Sequence, residues 1–460
     1  MSTVALAARV APSALETLAH YTAGLRLASL PADVVAKAKL CILDAISGCL
    51  TVGTNLESDC ALAIAASRGG AAGSATVIGT AVRSSAADAA FVNAVSAAGT
   101  SRSDTHPATA THPGTAIVPA VLAMAEACGR PGSAVIEAVV AGYEVMCRLG
   151  LALITPEFAT VFRPTGMVAP TGAAIAAAKV LGLDPRRMMH AASLATHTAS
   201  GLNEWAAAGT SELPFHSGFA ARNGVDCALL AEAGMVSART ILEGSAGLLA
   251  GHGALGRAWL LTEGLGDDHL ILGVVHKPAP ACIYAQTPCQ LARRLVLEHG
   301  LDADVIRSVV IRVSRAAAMY PGCDDPGPIA DAQAAKLSIQ FAVASVLVAR
   351  GVFDSNWRNF TDARANALSA RCTVEADEGL SAAGPRQASR IVVTLHGGRV
   401  IEASQDDFIS MSPSDLVERF RSAADPRLGV PARMRALELI DRLELQEDVG
   451  ELAAVLAARG

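Results

Sequence analysis

Aromatic residues are scarce: Phe, Trp and Tyr make up 4% of the 460 residues, although 52% are hydrophobic. The apolar mass is therefore Ala, Val and Leu, and the core must come from close approach of small-residue helices. No apolar run reaches about 18 residues without Gly, Pro or a charge, which excludes a membrane-spanning helix. No G-x-G-x-x-G stands at a strand-to-helix turn and there is no Walker motif, so no nucleotide cofactor is expected. The ten cysteines (41, 49, 60, 128, 147, 227, 282, 289, 323, 372) include no C-x-x-C pair. That argues against zinc or iron–sulfur ligation and for a reducing compartment. Most lie in apolar helical sequence, where a free Cys behaves as a small hydrophobe. Met1 to Arg9 lacks the charged start and apolar core of a secretory signal, so a cytoplasmic location is expected. A net charge of −6 and an isoelectric point near 6.0 leave no basic footprint for nucleic acid or an anionic membrane.

What is present up to about residue 270 reads as helix. Val34 to Leu50, Ala86 to Ala98, Ser133 to Leu149 (with Ser133 as N-cap), Gly172 to Leu181 and Gly218 to Ala233 each carry a helical pattern, Gly182 and Gly234 closing the last two. The character changes near residue 300. Ser308 to Ser314, Ser389 to Leu395 and Arg399 to Ala403 are β-branched and alternating, the last two flanking a Gly397-Gly398 hairpin signal. Helical stretches lie between them at Ala334 to Ala349 and near Asp362 to Ala370. Helices return at Leu416 to Ala423, Met434 to Leu445 and Val449 to Ala458. The expectation is a mainly α protein with an α+β insert: a helical domain over 1–270, an α+β lid over 271–405, and a helical return over 406–460.

The richest chemistry is local. Asp104-Thr105-His106 and His112-Pro113-Gly114 place two imidazoles, a carboxylate and a hydroxyl just before an apolar helix that Pro113 and Gly114 start. Such groups suit proton transfer; equally, His106 and His112 suit plain loop and cap roles. Further along stand Gly142-Tyr143-Glu144-Val145 with Arg148, Gly209-Thr210 with His216 and Gly218, Ile241-Leu242-Glu243-Gly244, and Lys277-Pro278-Ala279-Pro280-Ala281-Cys282. In this order, D-T-H-x5-H-P-G, GYEV-x-x-R, GT…H-x-G and K-P-x-P-x-C resemble the MmgE/PrpD family over roughly residues 15 to 450.

The resemblance implies a two-domain homodimer that acts, without cofactor, on a small anionic di- or tricarboxylate, removing a proton or CO2 next to a carboxylate. The family includes 2-methylcitrate dehydratases, cis-aconitate decarboxylases and iminodisuccinate epimerases. It points to Lys277, His112, Asp104 and Tyr320 as catalytic, with Asp104 setting the His112 tautomer or acting beside it. Thr105, His106, Arg163 and His216 are the expected substrate contacts. The alternatives are a solvated surface Lys277, a helix-capping His216, and an outward Arg163 paired with Glu157. Glu144–Arg148 at i,i+4 reads as a surface ion pair worth a few tenths of a kcal/mol, and His276 as structural.

Several positions depart from the family pattern. Its acid cluster is reduced to Ser101, Arg102, Ser103, Asp104 and Thr105. Arg163 stands for a histidine, Leu213 for a lysine, and Gln286 for a histidine. An arginine grips a carboxylate bidentately but moves no proton at neutral pH. Three readings stay open: a 2-methylcitrate dehydratase-like lyase or related decarboxylase, an epimerase, and a homologue that binds without catalysing.

Overall fold

A computed structural model describes residues 11–68, 73–382 and 384–458, so the Met1–Arg9 reading lies outside the described residues. The helical part is built around five long helices: Ala86–Gly99, Gly114–Ala127, Gly132–Leu153, Pro164–Leu181 and Leu213–Glu232. The 213–232 helix packs on 164–181 and 86–99, and 132–153 packs on 164–181. Small residues make this possible. A Cβ on Gly142 would sit 2.9 Å from the Ala176 Cβ, and one on Gly172 would sit 2.8 Å from the Met146 Cβ. The helices cross there at a distance only glycine allows, which is what the shortage of large rings implied.

Helix limits differ from the sequence expectation where tertiary contacts intervene. The third helix begins at Gly132, not at a Ser133 cap, because Gly132 N–H donates to the Gln446 carbonyl (2.9 Å). The 164–181 helix starts eight residues before Gly172, with Pro164 in its first turn and Gly182 left-handed at its end (φ 75°). The 213–232 helix likewise starts before Gly218, which puts His216 inside its first turns and not at a cap. From 234 to 273 the expected helix is largely absent, with only short turns at Leu248–Gly251, Leu255–Leu261 and Leu270–Gly273. Gly234, Gly253, Gly264 and Gly266 adopt positive φ there, which breaks helical runs.

The insert carries a four-stranded mixed sheet. A short hairpin earlier in the chain supplies β1 (Ala75–Thr76) and β2 (Arg83–Ser84). The sheet is formed by β3 (Ile306–Val313), β4 (Cys372–Ala376), β5 (Ser389–Leu395) and β6 (Val400–Gln405), in the order β4-β3-β5-β6. β5 and β6 form the hairpin about Gly398 (φ 81°). β4, parallel to β3, had no clear sequence signal, since this edge strand buries little beyond Cys372. The 334–349 stretch splits into Ala332–Leu337 and Ile339–Ala349, because Ser338 leaves helical geometry to cap the second helix through Phe341 N–H (2.9 Å). After the sheet, one element, Pro413–Asp441 with a break at Gly429, packs back onto the Ala32–Cys49 helix. Among the described residues no helix is long and apolar enough to cross a membrane.

Candidate active site

Two backbone hydrogen bonds assemble the site. Thr105 and Val275 exchange N–H···O bonds of 2.8 Å in each direction, fixing the 104–106 loop two residues before Lys277. The Lys277 segment is bolted from behind. Arg419 donates to the Lys277 carbonyl and, at 2.6 Å, to Asp44, whose other oxygen meets His276 Nδ1 at 3.2 Å. His276 is thus structural. Gln286, one of the departures, accepts from Ala279 N–H (3.0 Å) and donates to the carbonyls of Ala279, Ala281 and Cys282. A neutral amide there holds the proline-rich loop that presents both Lys277 and Cys282.

These segments close on a chamber of about 40 Å3 lined by His112, Arg163, Lys277, Cys282, Tyr320 and Lys336, among others. Both sides of the molecule contribute: His112 and Arg163 from the helical part, the remainder from beyond residue 276. Ser101, Ser103 and Leu213 also line it. Together with Arg163, they place four of the departures in one chamber. A wider cleft of about 800 Å3 shares Ser103, Thr115 and Lys336 with the chamber and runs toward Arg102, Arg358 and Arg419. The larger cavity is lined by Asp44 and Asp104 but by no histidine, whereas His112 and Lys277 line the small one.

The His112 ring is oriented by backbone. Its Nδ1 lies 2.9 Å from the Asp104 carbonyl and 3.0 Å from Thr105 Oγ1. A carbonyl only accepts, so Nδ1 carries the hydrogen and Nε2 is left as the basic nitrogen. Burial, followed by the Lys277 and Arg163 charges, holds this imidazole well below its ordinary range, hence neutral at pH 7. Lys277 is 2% exposed, and among the described residues its ammonium has no hydrogen-bond partner. Burial lowers it to about 7, with Arg163 and Arg419 adding to the shift and Cys282 and Asp44 opposing it. Arg163, 7% exposed at the start of the 164–181 helix, donates to Tyr320 Oη at 2.8 Å. It forms no ion pair with Glu157 and faces inward.

Other expected residues are placed differently. The Asp104 carboxylate accepts from Gly114 N–H (2.9 Å) and Tyr143 Oη (2.6 Å) at the start of the 114–127 helix. Its contribution to His112 therefore comes from its carbonyl, not its side chain. Burial raises its pKa. Thr105 reaches His112 but does not line the chamber. His106 is turned away, with Nδ1 on Thr109 Oγ1 at 3.0 Å, and burial lowers it to about 4. His216 packs behind Arg163 against Gly201 and is lowered to about 4, first by burial and then by Arg163. Glu144–Arg148 is no surface pair: at 2.6 Å both ends are buried, Glu144 also takes Leu270 N–H, and Arg148 also binds the Glu263 carbonyl. The 255–273 turns cover that helix face.

Two ionisable chamber residues are not among the sequence candidates. Lys336, bound to the Gly99 carbonyl at 2.8 Å and lowered to about 8 by burial, lies in a helical stretch with no motif to signal it. Cys282 closes the K-P-x-P-x-C run, and that position was its signal; its Sγ is 3.8 Å from Cys323 Sγ.

The MmgE/PrpD N-terminal domain matches residues 16–254 and the MmgE/PrpD C-terminal domain residues 279–445. The chain belongs to the MmgE/PrpD family. Human cis-aconitate decarboxylase is similar, 27% identical over 400 residues that cover 80% of this chain and 79% of the relative. MmgE/PrpD members are enzymes, dehydratases and decarboxylases among them, and the chain is of that type. The two matched segments leave 255–278 between them, a stretch that holds Lys277 one residue before its end.

Proposed function

We propose that this MmgE/PrpD chain removes a proton next to a carboxylate of a small di- or tricarboxylate, without a cofactor, as a 2-methylcitrate dehydratase-like lyase. One observation carries this reading: the chamber has three cationic side chains, a neutral histidine and no Asp or Glu in its lining. Carbon acids next to a carboxylate are weak. Their deprotonation needs a base together with fixed positive charge where the enolate-like charge develops. In this reading His112 Nε2 takes the proton, while Lys277 and Arg163 hold the carboxylates. Tyr320 fixes the Arg163 fork and donates beside it.

Epimerisation of an iminodisuccinate-like dicarboxylate is the second reading. Ser101 and Ser103 favour it, because serines stand where relatives carry acids able to protonate a leaving hydroxyl. Decarboxylation draws support from the family and from the human relative. We further propose a cytoplasmic homodimer. Phe219, Leu229 and Leu230 lie exposed on the 213–232 helix and offer an apolar face that a second copy would cover. Incubation with a panel of di- and tricarboxylates tests the reaction. An unsaturated product absorbing in the ultraviolet is expected; inversion without new absorbance would replace the lyase by the epimerase, and neither outcome would refute both.

A further inference from the structure

The chamber supplies a base but no carboxylic acid to give the second proton, whether that proton goes to a departing hydroxyl or back to carbon. We propose that Cys282 is this missing acid, its S–H donating to the substrate and its thiolate then held by the Cys323 thiol and the Lys277 ammonium. The assignment rests on the proton-abstraction reading above.

Three observations place it there. Cys282 lines the same chamber as His112 and sits on the rigid loop that Gln286 secures. Cys323, fully buried, donates its S–H toward Cys282 across 3.8 Å, and a donor of that kind stabilises the thiolate more than the thiol. Lys277 stands in the same lining, 2% exposed and without a hydrogen-bond partner among the described residues, so a charge of opposite sign in the chamber is complementary to it. Arg163 adds a second cation, while the Tyr284 and Tyr320 phenols are kept neutral by burial. The Cys323 contact shifts the Cys282 thiol below its ordinary range, while Cys323 itself is pushed up. A thiol whose anion is stabilised is the better acid.

The proton balance closes for either reaction. In dehydration the C–H proton passes to His112 Nε2 and its electron pair forms the C=C bond. The C–O bond breaks, and the Cys282 proton joins the departing oxygen as water. In epimerisation the same S–H protonates the carbanion from the other face. Either way Cys282 is left as thiolate and is reprotonated before the next turnover.

The test compares Cys282→Ser, Cys323→Ala and wild type, with kcat, KM and pH profiles, alongside the pH dependence of iodoacetamide labelling read by mass spectrometry. For Cys282→Ser, kcat should fall by about 100-fold or more, the scale of general acid catalysis, with KM within about threefold. Cys323→Ala should move the basic limb of kcat/KM upward in pH, a change that lost packing alone would not produce. Labelling at Cys282 should follow an ionisation below the free-thiol value of about 8.5 and be blocked by substrate. Retention of kcat in Cys282→Ser, or labelling that follows an ordinary thiol ionisation, would overturn the assignment and leave the proposed function standing. If wild type instead processes no carboxylate of the panel, the functional reading fails and Cys282's role as acid fails with it. The labelling profile then still decides whether its thiolate is stabilised.

Discussion

Arg163 is where a single side chain separates this MmgE/PrpD chain most sharply from the family pattern. With one nitrogen on Tyr320 and a place in the chamber lining, it sets a fixed charge where the family pattern has a titratable histidine, and in the proposed reading that charge holds a substrate carboxylate. Loss of a charge-assisted carboxylate contact costs roughly 2–4 kcal/mol, so Arg163→Ala should raise KM by about one to three powers of ten with folding unchanged. Steady-state kinetics and a thermal melt check this; an unchanged KM would return carboxylate binding to Lys277. The lowered Lys277 gives a pH prediction. Its ammonium is present below about 7 and lost above it. If the charged form holds the substrate, kcat/KM of the free enzyme should fall as pH rises through that value, and Lys277→Met should abolish the dependence on that group. His112 titrates well below the usual imidazole range, so its protonation should not cut activity until more acidic pH. A profile that rises through 7 would make Lys277 the base instead.

At the scale of elements, the Asp104 loop and the start of the 114–127 helix form one unit. Tyr143 Oη and Gly114 N–H both serve a carboxylate that is 2% exposed. Tyr143→Phe leaves one of its oxygens short of a donor in a buried place, which costs about 1–3 kcal/mol. A lower denaturant midpoint, with kcat reduced through a displaced His112, is expected; unchanged stability would show that the clamp does not hold the loop. This unit also shows what was legible in the sequence. The D-T-H-x5-H-P-G spacing located the loop, but side-chain direction was not encoded in it. Asp104 and His106 therefore looked like chamber residues, although one binds a helix start and the other a neighbouring threonine. Long helices and the β5–β6 hairpin were readable because periodicity and Gly397-Gly398 are local signals. β4 and the split at Ser338 were not, since each depends on a neighbour far along the chain. Lys336 was missed for the same reason: only the fold brings it beside Lys277. Arg163, Lys277 and His112 were legible through their motifs, and the Glu144–Arg148 pair was misjudged because the turns covering it carry no helical pattern.

At the scale of the whole molecule, the chamber's size is the constraint. About 40 Å3 is well below the roughly 150 Å3 of a cavity that takes one benzene, too small for a tricarboxylate. Substrate must therefore extend into the adjoining cleft of about 800 Å3 or part the two sides. The Arg163–Tyr320 bond joins the helical part to the insert across this seam. Tyr320→Phe removes a hydrogen bond worth roughly 0.5–1.5 kcal/mol, so kcat/KM should drop by about two- to twelvefold through a less well-aimed Arg163. No change would mean that the seam is held elsewhere. Exhaustive chelation should leave activity intact, a prediction motivated by the scattered cysteines; restoration of lost activity by a divalent ion would overturn it.

The central claim is that His112 removes a proton next to a carboxylate in a chamber of fixed positive charge. Deuterium incorporation from D2O into a panel of di- and tricarboxylates, followed by NMR, tests it most directly. The account predicts exchange at the carbon beside a carboxylate, with no added metal or nucleotide, and a fall of about 100-fold or more in His112→Gln. Absence of exchange across the panel, or exchange that survives His112→Gln, would contradict it.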